Sequence, residues 1–167
     1  IKKSEFSNSI SDAIDSDFAD GLIETTRFTG VGGDALDVSG ARVTGKKLVF
    51  NDIGDKAVSA GESSRLDLEE IDVDEVIAGV VSKDGSVLSV KGFSADNVAL
   101  FAGMSYVKKS IYGPATLNVE KTVISKNRFV NQFGNRLMVN GLSKTGCQLD
   151  VKALYSGPMQ KQKTERD

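Results

Sequence analysis

The sequence predicts an all-β chain of stacked parallel rungs, a single-stranded β-solenoid. Three ladders of identical phase carry that expectation. Phe6, Phe28 and Phe50 recur every 22 residues or so. Ala13, Ala35 and Ala57 keep the same step, and Gly79 continues it. Ile14, Leu36 and Val58 do likewise, with Val80 or Val81 next in line. A fixed period of this length is the signature of a repeat architecture in which each unit buries its apolar face only against its neighbours.

The elements follow in order. Ser11-Asp12-Ala13-Ile14-Asp15, Gly33-Asp34-Ala35-Leu36-Asp37 and Asp55-Lys56-Ala57-Val58-Ser59 superpose without gaps as one strand of three successive rungs. Leu66-Asp67-Leu68 recurs as Leu88-Ser89-Val90, then as Leu117-Asn118-Val119 and Leu137-Met138-Val139. Alternation with period two marks strands buried on one side. The step before Leu117 is longer because Met104 to Pro114 reads as an insertion into a turn, about residues 104–114. A leucine-rich repeat has a similar period but needs a dense Leu and Asn signature that is absent, and no segment carries a helical apolar stripe of useful length. The expectation is therefore about six to seven rungs at ~4.8 Å spacing over residues 1–155, followed by a polar tail at 156–167 that frays from Gln160 onward.

Composition narrows the function. Lysine and arginine (21) nearly balance aspartate and glutamate (23), a net charge of −2. Such a balance provides no electrostatic pull toward nucleic acid or an anionic membrane. No apolar run approaches the ~20 residues of a membrane span. The chain has no histidine and one cysteine, Cys147. That removes Ser-His-Asp and Cys-His catalysis, the commonest transition-metal ligand, and any intramolecular disulfide. The opening Ile1-Lys2-Lys3-Ser4-Glu5-Phe6 is not a signal peptide, and membership of a larger chain is expected.

The blocks Asp34-Ala35-Leu36-Asp37-Val38-Ser39-Gly40, Gly54-Asp55-Lys56-Ala57-Val58-Ser59-Ala60-Gly61-Glu62 and Val81-Ser82-Lys83-Asp84-Gly85-Ser86 resemble repeats of right-handed parallel β-helix proteins of the pectate-lyase-like superfamily. The likeness is greatest to β-helix segments of large bacterial surface or secreted proteins. It implies right-handed coiling and an extracellular or cell-surface location. The superfamily includes lyases, hydrolases, epimerases, adhesins and inert spacers, so the resemblance speaks to fold rather than activity.

Two clusters are candidates for chemistry. With Ile14, Leu36 and Val58 inward, Asp15 and Asp37 project outward one rung apart, and Asp12 and Asp34 form a second pair near the preceding corner. Like charges at that separation repel unless a cation or donor offsets them, so Asp12, Asp15, Asp34 and Asp37 are candidate Ca²⁺ ligands. The same aspartates could act as a glycosidase-type acid and base. Polygalacturonase-like hydrolases place catalytic aspartates in similar motifs, although their histidine and basic motifs have no counterpart here. The third reading has these aspartates capping rung corners by accepting turn N–H groups, which is the one expected.

The second cluster is Lys56, Glu62, Lys83 and Asp84 on successive rungs. A lyase or epimerase needs a base for a sugar proton and a cation for the uronate carboxylate, and Lys83 could serve either purpose. Catalytic candidates are thus Asp12, Asp34, Asp37 and Lys83, and binding candidates are Lys56, Glu62, Tyr106, Lys108 and Tyr112. The reading expected for this cluster is ion pairing across rungs on a solvated face. The leading expectation is a non-enzymatic module, a rigid scaffold or polysaccharide-contacting segment with no cofactor other than the Ca²⁺ considered above. The alternative is a polysaccharide lyase, hydrolase or epimerase acting on an acidic polysaccharide.

Overall fold

The computed structural model describes residues 1–157 and 159. Its strands are β1 (Glu5–Ser9), β2 (Ile14–Asp17), β3 (Gly21–Val31), β4 (Leu36–Ser39), β5 (Arg42–Gly61), β6 (Arg65–Lys83), β7 (Val87–Ala95), β8 (Gly103–Tyr106), β9 (Thr116–Thr122), β10 (Phe129–Asn131), β11 (Arg136–Val139) and β12 (Leu142–Ser143). Every pairing between rungs is parallel, and the chain is a β-solenoid of about six turns, rungs about 22 residues apart. β5 and β6 bend through successive faces, their pairing shifting register once between Ile53 and Lys56, so one long strand supplies most of a rung.

Three faces result. Face A carries the column Phe6–Phe28–Phe50–Val73. Its rings stack at centroid separations of 5.3 and 4.9 Å, their planes nearly parallel. Face B carries Val43–Leu66–Leu88–Leu117–Leu137. Face C carries Ile14–Leu36–Val58–Val80–Gly103–Phe129, which settles the register at Val80. The inward columns meet in one core along the axis. Each rung offers only a few apolar residues, and the stack supplies the rest of their burial.

Sharp corners separate the faces, and the backbone there repeats as faithfully as the side chains. Thr25, Lys47, Glu70, Gly92 and Lys121 occupy one phase between faces B and A, all with positive φ. Only Gly92 adopts that conformation without a steric cost. At the corner between A and C, a Cβ on Gly54 would lie 2.6 Å from the carbonyl oxygen of Gly32, so the two rungs approach as closely as glycine permits.

The ends differ. At the first rung Phe6, Ala13 and Ile14 are only partly buried. At the last, β12 folds back antiparallel on β11. From there the chain bridges Cys147 to Gln132 and enters a short helix, α1 (Val151–Tyr155), N-capped by the Asp150 carboxylate at 3.0 Å from the Ala153 N–H. This helix was not expected from the sequence. It covers the outer side of face C, where Val81, Met104 and Val130 form an outward apolar column. Leu149, Val151, Leu154 and Tyr155 pack on that column, and Met159 is buried with them. Exposed apolar surface on a sheet seeks a cover, and the chain supplies its own. Of the tail expected at 156–167, residues 158 and 160–167 lie outside the described residues.

Candidate functional site

Outside the core, face C gathers most of the residues singled out above. Asp12, Asp34 and Lys56 follow one another on three rungs. The Asp12 Oδ1 accepts the Asp34 N–H at 2.7 Å, and Asp34 Oδ1 accepts the Lys56 N–H at 3.0 Å. Each carboxylate thus accepts the backbone donor of the next rung at the same phase. Lys56 then turns back: its Nζ lies 3.0 Å from Asp34 Oδ1 and 2.6 Å from Asp55 Oδ2. All three side chains are 1% exposed. The residue expected on a solvated face is instead among the most buried in the protein, because α1 and Tyr106 lie over it. The Tyr155 ring is 5.5 Å from Lys56 Nζ, and the Tyr155 hydroxyl is 2.7 Å from that of Tyr106.

Two carboxylates share one ammonium, so the triad cannot be neutral with both ionised. Burial and then the nearby Asp34 charge push the Asp55 carboxyl up to about 6, despite the opposing pull of Lys56. Burial favours the neutral amine at Lys56, but the combined attraction of Asp34 and Asp55 outweighs it and raises the pKa. Asp55 Oδ1 is buried with no hydrogen-bond partner among the described residues. A protonated Asp55 beside an Asp34–Lys56 ion pair is the arrangement that leaves no net charge in the interior.

Further along the stack, Lys83 donates to Ser59 Oγ at 2.8 Å, and its Nζ stands 3.8 Å from Asp37 Oδ1. Asp15 and Asp37 are partners across adjacent strands, as the period required. Asp84 is fully buried. Its Oδ1 accepts the Lys108 and Lys109 N–H groups, both at 2.6 Å, and so fixes the start of the inserted loop. Lys109 pairs with Glu62, which also accepts from the Tyr112 hydroxyl at 3.2 Å and is drawn below its usual carboxylate range chiefly by Lys109. Lys108 rests over the Tyr155 ring at 3.8 Å. Burial, then the charges of Lys83, Lys56 and Lys109, lower its pKa.

Of the candidate sugar contacts, Tyr106 is fully buried and presents no ring face to solvent. Tyr112 and Lys108 stand at the edge of the loop, engaged with Glu62 and Tyr155 respectively. Among the described residues no three or more His, Cys, Asp or Glu side chains come together as a metal-ligand group.

Sequence reasoning passed over two features. The first is Tyr155, which closes the site from a segment far away in the chain, with no periodic signal to announce it. The second lies on face B, where Lys2, Glu24, Lys46, Glu69, Lys91 and Glu120 form one outward column alternating in sign at every rung. Lys2–Glu24 and Lys46–Glu69 are ion pairs of 2.8 and 2.9 Å. Beside it runs the column Thr44–Asp67–Ser89–Asn118. The two columns border a shallow groove of about 450 Å³. The 22-residue step would have revealed the alternation had the charged positions been laid out by phase as the apolar ones were.

Comparison with protein-family models, with curated proteins and with solved structures returns no match.

Proposed function

We propose that this chain is a non-enzymatic module of a bacterial surface or secreted protein: a right-handed parallel β-helix of the pectate-lyase-like kind, acting as a rigid scaffold that contacts polysaccharide. The observation that carries this reading is the fate of the acids and bases on face C. Lys56, Asp34, Asp55 and Asp84 are committed to one another or to backbone N–H groups beneath α1 and the inserted loop. A general acid or base must lie within hydrogen-bond reach of a substrate proton, and these groups have no opening to one. Their arrangement instead ties rungs together. A surface open to a glycan is the face B groove, whose charges alternate in sign from rung to rung and whose hydroxyl and amide groups suit a polymer of hydroxyls.

The resemblance to bacterial β-helix segments supports the handedness and the exported location. The alternative, an enzyme acting on an acidic polysaccharide, draws on one observation: Lys83, its side chain 11% exposed, stands beside Asp37 Oδ1, which accepts no hydrogen bond among the described residues. Incubating the chain with uronate-containing polysaccharides separates the two. Scaffold function expects no new reducing ends and no unsaturated uronate absorbance. Product formation that disappears in Lys83→Met, with the melting temperature unchanged, would replace the scaffold reading with a lyase.

A further inference from the structure

The Asp34–Lys56–Asp55 triad is more than a structural ion pair requires. One carboxylate would neutralise the lysine; a second, equally buried, costs desolvation and returns little attraction. The second carboxyl occupies a position from which it can handle protons. Its Oδ2 is 2.6 Å from Lys56 Nζ, and its Oδ1 is buried without a hydrogen-bond partner among the described residues. The first carboxyl presents Oδ1 to Lys56 Nζ and simultaneously to the Lys56 backbone N–H, each at 3.0 Å. Tyr106 and Tyr155 close the space above, and the side chains of the triad are 1% exposed.

We infer that Lys56 and Asp34 condense within the folded chain to an intramolecular amide, with Asp55 as the proton carrier. Asp55 passes its proton to the Asp34 carboxylate and takes one from Lys56 Nζ, and the amine so formed attacks Asp34 Cγ. The charge that develops on Asp34 Oδ1 is held by the Lys56 N–H already directed at it, as in an oxyanion hole. The Nζ–Cγ bond forms, the Cγ–Oδ2 bond breaks, and Oδ2 leaves as water with two of the three ammonium protons. Asp55 ends in the state in which it began. One ammonium and one carboxylate become one amide and one water, with no oxidant or co-reactant. Once the proton has passed to the carboxylates the ion pair is gone, and water exclusion then favours the neutral amine and acid over the ions. Holding both groups in contact supplies the proximity that a bimolecular condensation lacks. The reaction occurs once per chain and covalently ties the second rung to the third.

Mass spectrometry of the full, unfolded chain tests this directly. The expected mass is lower than that of the sequence by one water. Trypsin should release Phe28–Arg42 joined to Leu48–Arg65, uncut at Lys56. The isosteric Asp55→Asn chain should fold, as judged by circular dichroism, yet keep its full mass. A native chain of full sequence mass that melts cooperatively would overturn the inference. A mass deficit persisting in Lys56→Met would overturn the assignment by placing the lost water elsewhere. Cross-linking undiminished in Asp55→Asn would remove Asp55 from the reaction.

Discussion

Faces B and C place the same chemical pair, a lysine next to a carboxylate one rung away, in two environments. On face B, Lys46 meets Glu69 at 2.9 Å with both side chains 44% exposed. On face C, Lys56 meets Asp34 at 3.0 Å with both 1% exposed. Distance does not separate them; dielectric does. In water the attraction is screened and offset by side-chain entropy, so the face B column adjusts register and solubility more than stability. In the interior, removing one partner leaves an uncompensated charge, and the effect is large. A parallel stack repeats geometry from rung to rung, but the cover placed over each face decides what that geometry contributes.

Substitutions can break this contrast. The largest effect is expected within the core that both faces share. Leu36→Asp places an unpaired carboxylate between Ile14 and Val58 and should cost about 4 kcal/mol or more, enough to remove the cooperative thermal transition. A melting temperature equal to that of the parent chain would mean the faces are assigned the wrong way round.

Next is the pair comparison. Lys56→Met should destabilise by roughly 3–5 kcal/mol in urea unfolding, because Asp34 and Asp55 stay buried without their cation. Lys46→Met should leave the urea midpoint nearly unchanged, and added salt should erase what difference there is. Equal losses at the two positions would show that burial is not what distinguishes the faces.

The third expectation concerns pH. Asp55 ionises at about 6 in the folded chain, against an ordinary value of 3.8. The folded state therefore binds this proton more tightly than the unfolded state. Its contribution to stability is complete below pH 3.8 and is lost as pH rises through 6, by an amount of order 3 kcal/mol. In Asp55→Asn that slope should flatten between pH 4 and 6, as measured by urea midpoints across the range. An unchanged slope would assign the titration to another group.

The smallest expected effect is at the cover itself. Tyr155→Ala removes the ring that packs edge-on to Tyr106 and beneath Lys108, at a cost of about 1–2 kcal/mol. Amide exchange should accelerate across Val151–Tyr155 while the inner columns of face C remain protected. Acceleration confined to some other segment would show that α1 does not depend on this ring.

How far these features could be read in advance depended on how local their cause is. The Phe6–Phe28–Phe50 and Ile14–Leu36–Val58 columns were legible because a stack forces like residues onto like positions. The capping of Asp34 by Asp12 was legible for the same reason. The alternating column from Lys2 to Glu120 obeys that rule too. Lys56 was different. It stands beside a rung corner, next to the register shift after Ile53, where a lysine is ordinarily solvated.

The sequence by itself determined the rung, its period, its inward columns and its corners, since each follows from contacts repeated at one fixed chain separation. The tertiary structure alone decided that Val81, Met104 and Val130 would be covered, and that the cover would be the segment around Val151–Tyr155. No periodicity links Tyr155 to Lys56, so nothing in the repeat could announce that this lysine and its two carboxylates would be sealed from water. The ionisation of Asp55 and the reactivity we infer for the triad follow from that single long-range contact, because excluding solvent changes the energy of a charge far more than it changes the path of the chain.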